Sequence, residues 1–182
     1  KAGNKEKYAF YHKRQLVQKI LLNSLYGVLG LPAFRFYDVD NAEAVTTTGQ
    51  TVIKSTADMG NIKYNKELNT PDADSNIYID TDSVFFSAVP LMDKRYPNWK
   101  DEEQDTIAGY VNVIAEEMQD YLNDFYNILS KRIFNVDKDK HRLEIKKEYV
   151  AKAGLWIAKK RYAQWIISDN GVPVDKLDVK GL

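Results

Sequence analysis

No cysteine occurs in the 182 residues, which excludes disulfide cross-links, thiolate-held zinc and thiol nucleophiles. Histidine is nearly as scarce, and His12 and His141 are too few and too far apart for a histidine-based metal site. No apolar run approaches the ~18 residues of a membrane span, and no secretory leader opens the chain. A soluble chain with no membrane partner is therefore expected. A triphosphate, if bound, would not sit in a P-loop, because GxxxxGK is missing. The chain starts at Lys1 rather than Met, which points to a piece excised from something longer. With 44% hydrophobic residues it has enough apolar material for one core.

Net charge is also lacking, since 26 Lys and Arg balance 26 Asp and Glu. The balance hides an uneven distribution. Residues 1–35 hold seven basic side chains against Glu6 alone, and residues 131–163 hold eleven against four acids. Residues 101–124 hold eight acids and no base. Two basic zones separated by an acidic one suit a groove for a phosphate backbone with a negative face turned outward, although solvated helix faces would give the same pattern.

The chain is organised around residues 76–88, NIYIDTDSVFFSA. Ile77, Tyr78 and Ile79 favour one strand, Val84, Phe85 and Phe86 a second, and Asp80-Thr81-Asp82-Ser83 supplies turn chemistry between them. Two carboxylates thus fall at the tip of a tight hairpin, where hard cations would find oxygen ligands. Aspartate is also an ordinary turn residue, so the tip alone does not decide its use.

Residues 5–29 read as one long helix with unlike faces. Val17, Leu21, Leu25 and Val28 make an apolar stripe expected to pack, while Gln15, Lys19, Asn23 and Tyr26 make a second stripe free to bind. After an irregular piece at 33–37, a helix is expected over about 40–64, with Asp40 as N-cap answered by Glu43. Its Thr46-Thr47-Thr48 run is a poor helix former, so packing against the hairpin should hold it. Asp38 reads as a cap or turn residue rather than a third metal carboxylate. Residues 65–75 and 89–99 read as connections. Residues 101–134 form an amphipathic helix with Ile107, Val111, Ile114, Met118, Leu122, Phe125 and Leu129 inward. Strands are expected at 143–150, 155–168 and 174–179, with Asp169-Asn170-Gly171 as the last turn.

Three segments resemble motifs of family B DNA polymerases. Tyr78-Ile-Asp80-Thr81-Asp82-Ser83 is similar to YxDTDS, Lys19 to Gly27 (KILLNSLYG) to KxxxNSxYG, and Lys159-Lys160-Arg161-Tyr162 to KKRY. Residues 176–182, KLDVKGL, also resemble the strand preceding the thumb in that family. The resemblance implies an α+β fragment, with residues 1–30 the C-terminal part of the fingers and 31–182 a palm of antiparallel sheet and supporting helices. It implies template-directed nucleotidyl transfer with two Mg²⁺ ions. Asp82 would be the indispensable catalytic metal ligand, Asp80 the second, and Glu148 a glutamate near the metals. Lys19, Asn23 and Tyr26 would meet the nucleotide, Gly27 would let backbone approach the base pair, and Lys159, Lys160, Arg161 and Tyr162 would line the primer. A lysine offers the triphosphate a point charge where arginine would impose a planar fork.

The implied partners are primer–template DNA, deoxynucleoside triphosphates and the remainder of the polymerase chain: exonuclease, the palm segment carrying a DxxSLYPS-like motif, and thumb. No such segment occurs in these 182 residues, so the chain alone is expected not to polymerise. The pattern is nearest the replicative polymerases of large tailed phages, which implies the cytoplasm of an infected bacterium. A catalytically inert DNA-binding module is the alternative. A hydrolase using Asp80 and Asp82 as acid and base is disfavoured, since carboxylates one residue apart on a turn do not flank a substrate bond at a fixed separation.

Overall fold

The computed structural model describes residues 2–181; Lys1 and Leu182, which begin and end the two expected regions, lie outside the described residues. The elements are α1 (Ala2–Leu29), α2 (Val39–Leu68), β1 (Asn76–Asp80), β2 (Ser83–Phe86), α3 (Val89–Arg95), α4 (Gln104–Phe134), β3 (Tyr149–Ala158), β4 (Arg161–Asp169) and β5 (Val172–Lys180), with one 3₁₀ turn at Trp99–Asp101. Both sheets, β1-β2 and β3-β4-β5, are antiparallel, and the fold is α+β. The chain divides into two compact units between Thr51 and Val52, within α2.

In the first unit α1 matches the expected helix, but its supposed packing stripe is not buried: Val17, Leu21 and Leu25 are all exposed. Apolar side chains go round the helix, with Tyr11, Leu16, Ile20 and Leu22 exposed as well. The start of α2 corrects the expected cap. Asp38, not Asp40, takes that role: its carboxylate accepts the Asn41 backbone N–H at 3.0 Å and the Asn41 amide at 2.7 Å. The threonine run is exposed, and α2 meets the hairpin further along, where Tyr64 stacks on Phe86. In the run the Thr46 hydroxyl donates to the Glu43 carbonyl at 2.8 Å, and beyond it the Thr51 hydroxyl donates to the Thr47 carbonyl at 3.0 Å.

In the second unit the core joins Tyr64 of α2, Leu91 and Met92 of α3, and Ile114, Met118 and Leu122 of α4, with Phe86 of the hairpin packed against it. The α3 helix replaces part of the connection expected at 89–99. Its signal was Pro90, which occupies the first turn, where no N–H is needed. Arg95 at its end forks onto Glu67 (2.6 and 2.7 Å) and reaches Glu117 at 2.8 Å, tying α2, α3 and α4 together. Hydrogen bonding to Arg95 holds the Glu67 carboxyl below its ordinary range. The α4 helix keeps its expected inward line and ends on Asn135 at φ 52°.

The strand expected at 143–150 is not in a sheet until Tyr149. Residues 143–147 nonetheless run beside α4, their backbone bonded to side chains of that helix. Asn123 receives the Ile145 N–H at 2.9 Å and donates to its carbonyl at 3.0 Å, and Gln119 receives the Lys147 N–H at 3.0 Å. The Leu143 N–H donates to His141 Nδ1 at 3.2 Å, and His141 Nε2 in turn meets Asn127 Oδ1 at 3.0 Å. Three polar residues at i, i+4 and i+8 thus replace a neighbouring strand. The three-stranded sheet follows, seated on α4 through Ala108, Val150 and Ile167. Its β4-β5 turn is Asn170-Gly171, with φ of 49° and 80°, the geometry that favours Asn-Gly.

Candidate active site

The hairpin is tighter than the four-residue turn expected. Asp80 pairs with Ser83, leaving Thr81-Asp82 as the whole turn. The Asp80 carbonyl accepts the Asp82 N–H at 2.6 Å and the Ser83 hydroxyl at 3.1 Å. Thr81 stands at φ 53°, an uncommon state for a β-branched residue, costing about 1–2 kcal/mol. The two carboxylates differ in consequence. Asp82 is exposed, and its carboxylate has no hydrogen-bonding or ionic partner among the described residues. Asp80 is mostly covered, accepting the Thr81 hydroxyl at 3.0 Å and lying 3.9 Å from the Lys160 ammonium.

That lysine comes from the β3-β4 hairpin, whose turn corrects the expected strand over 155–168. Ala158 pairs with Arg161, so Lys159-Lys160 are the turn residues, with Lys160 at φ 63°. A continuous strand would set Lys160 and Tyr162 on one face and Lys159 and Arg161 on the other; the turn instead exposes Lys159, Lys160 and Arg161 together. Tyr162 is buried instead, its ring 5.5 Å from Tyr78 and 5.9 Å from Phe85. Its ring is enclosed by protein packing. Burial, then the nearby Asp80 carboxylate, raises the Tyr162 hydroxyl above its ordinary value, keeping it protonated.

The two hairpins meet at Tyr78, whose hydroxyl accepts the Lys160 backbone N–H at 2.7 Å. The signal for this contact was strand alternation, which places Tyr78 and Asp80 on one face of β1. Glu148 is not brought to this place. It precedes β3 at the Tyr149–Asp169 end of the ladder, and ten residues of strand, roughly 30 Å at ~3.3 Å each, separate it from the Lys159-Lys160 turn. Among the described residues no group of three or more His, Asp or Glu side chains is gathered to hold a metal ion.

In the other unit Lys19, Asn23 and Tyr26 are all exposed along one stripe of α1. No protein atom lies within 4 Å of where a Gly27 side chain would begin, so the protein's own packing does not demand that glycine.

The profile of DNA polymerase family B matches residues 1–95, which include the α1 stripe and the carboxylate hairpin. This chain belongs to DNA polymerase family B. A DNA-directed DNA polymerase of Enterobacteria phage T4 is 34% identical to it over 158 residues, covering 82% of this chain and 17% of the relative. That of Escherichia phage RB69 is 30% identical over 179 residues, covering 92% and 19%. The DNA polymerase alpha catalytic subunit of Mus musculus is 28% identical over 174 residues, covering 94% and 9%. The chain spans under a fifth of the length of these relatives. Among the described residues no helix is long and apolar enough to cross a membrane.

Proposed function

We infer that this chain is part of a template-directed DNA polymerase, residues 1–30 contributing to the fingers and 31–182 to the palm. The observation that carries this reading is the meeting of the Asp80–Asp82 hairpin with the basic Lys159-Lys160 turn at 2.7 Å through Tyr78. One element offers carboxylates and the other phosphate-binding cations, as growth of a primer end requires.

Asp82 suits a hard cation because its oxygens are exposed and unengaged, and Asp80 stands two residues away as a weaker second ligand. When bound there, Mg²⁺ would supply charge stabilisation to the attacking and leaving oxygens of phosphoryl transfer. Lys159 and Arg161 contact primer phosphates, while Lys19 and Asn23 receive the triphosphate and Tyr26 the nascent base pair. Glu148 is left outside this assignment. The partners are primer–template DNA, deoxynucleoside triphosphates and the rest of the polymerase.

The test is primer extension by the complete polymerase. Extension should require template and stop with EDTA until Mg²⁺ is restored. In the same protein, removing Arg161 or Lys159 should weaken primer–template binding and lower the log–log salt slope by about 1 for each lost phosphate contact. Binding with an unchanged slope in both variants would remove the turn from the DNA interface. Binding without extension would favour the inert module.

A further inference from the structure

Lys160 occupies an awkward backbone position that two neighbours fix. As the second residue of a two-residue turn it has no ladder partner for its N–H. Tyr78 supplies an acceptor at 2.7 Å. On the other side the Lys160 carbonyl lies so close to Gly181 that a side chain there would begin 2.1 Å from its oxygen. Lys160 is therefore approached at both its N–H and its carbonyl, at a φ of 63° that lysine seldom adopts. The Tyr78 ring is independently seated, 5.5 Å from Tyr162 and 5.9 Å from Phe85. Packing fixes the ring, and the hydroxyl is left for the turn.

We propose that Tyr78 is a positioning residue for the reaction: its hydroxyl holds the Lys159-Lys160 turn in register with Asp80 and Asp82, so that primer end and metal-binding carboxylates are aligned by one hydrogen bond. This rests on the polymerase reading above. Strand β1 carries both ends of the device, with Tyr78 and Asp80 on one face about 7 Å apart along the strand. Loss of the bond lets the turn drift along the hairpin without opening the aromatic cluster beneath it. The consequence falls on alignment of the primer terminus, and nucleotide affinity is left alone.

The experiment is pre-steady-state incorporation by the complete polymerase on a primer–template, comparing wild type with Tyr78→Phe, Lys160→Ala and the double variant. Tyr78→Phe keeps the ring and deletes the hydroxyl. It is expected to slow the burst rate about fivefold to tenfold, the scale of one lost hydrogen bond, with burst amplitude, apparent nucleotide affinity and melting temperature near wild type. The double variant is expected to be no slower than Lys160→Ala, because the hydroxyl acts by placing the side chain that Lys160→Ala already deletes, while the backbone N–H it holds is kept in that variant. A wild-type burst rate in Tyr78→Phe overturns the proposal. So does a reduced amplitude at normal rate, which marks a folding defect, or full multiplication of the two losses. Asp82→Ala is run alongside: if it incorporates normally, the polymerase reading fails rather than the role of Tyr78.

Discussion

Asp82→Ala in the complete polymerase is expected to lower single-turnover nucleotide incorporation about a thousandfold or more, the scale on which electrostatic stabilisation of a transition state is lost. The side chain is at the tip of a two-residue turn, exposed and unpartnered among the described residues, so its removal takes nothing from the packing. Stability should stay within about 0.5 kcal/mol of wild type. Asp80→Ala should cost less in rate, since Thr81 and Lys160 already engage its carboxylate. Titrating Mg²⁺ and then Mn²⁺ against each variant separates a lost ligand from a lost fold. Undiminished incorporation by Asp82→Ala at low metal would remove this residue from the site.

Gly60→Val is expected to destabilise the chain by about 2–3 kcal/mol, from overpacking set against a small change in helix propensity. Gly60 lies on α2 where the hairpin seats, and a side chain there would begin 2.2 Å from Phe86 Cζ. The Phe86 ring is braced on one side, stacking on Tyr64 at 5.8 Å, and its backbone pairs with Asn76. For a chain of this length the loss corresponds to a melting temperature lower by roughly 5–10 °C. Gly109→Ala on α4 is the control. No protein atom lies within 4 Å of its added carbon, so it should gain the full helix propensity, about 1 kcal/mol. Equal behaviour of the two variants in thermal denaturation would show that the hairpin does not need Gly60 for its seat.

Much of this was legible because local patterns and tertiary packing agree. The line from Ile107 to Leu129 along α4 has one periodicity and one core to face, and Asn170-Gly171 names its own turn. Elsewhere the pattern pointed the wrong way. Lys159-Lys160 lack the glycine or asparagine that usually marks a left-handed turn, so the β3-β4 connection was hidden inside an apparently continuous strand. Its position depends on contacts from Tyr78 and Gly181, far away in sequence. The α1 stripe of Val17, Leu21 and Leu25 has the spacing of a packing face, yet all three are exposed. Asp38 reads rightly as a cap or turn residue, but Asp40, an equally plausible acid two residues on, competes for the cap of α2 itself. For the candidate site, motifs identified the hairpin and the basic turn, but Glu148 rests on the family resemblance without a motif of its own, and strand pairing carries it to the other end of the sheet.

The rungs formed by Asn127, Asn123 and Gln119 with residues 143, 145 and 147 work like a vernier. Four residues of helix advance about 6 Å, and two residues of extended chain about 6.6 Å, so neighbouring graduations nearly coincide and slip by roughly half an ångström per step. Three rungs can be accommodated, the outermost with an imidazole spacer where His141 bridges to Leu143. A fourth would fall on Ala115, which has no amide to offer, and by then the two scales have drifted apart. There the chain leaves the helix and takes a true strand as its partner at Tyr149. The spacing of amide side chains along one helix face thus measures out the segment that precedes the sheet.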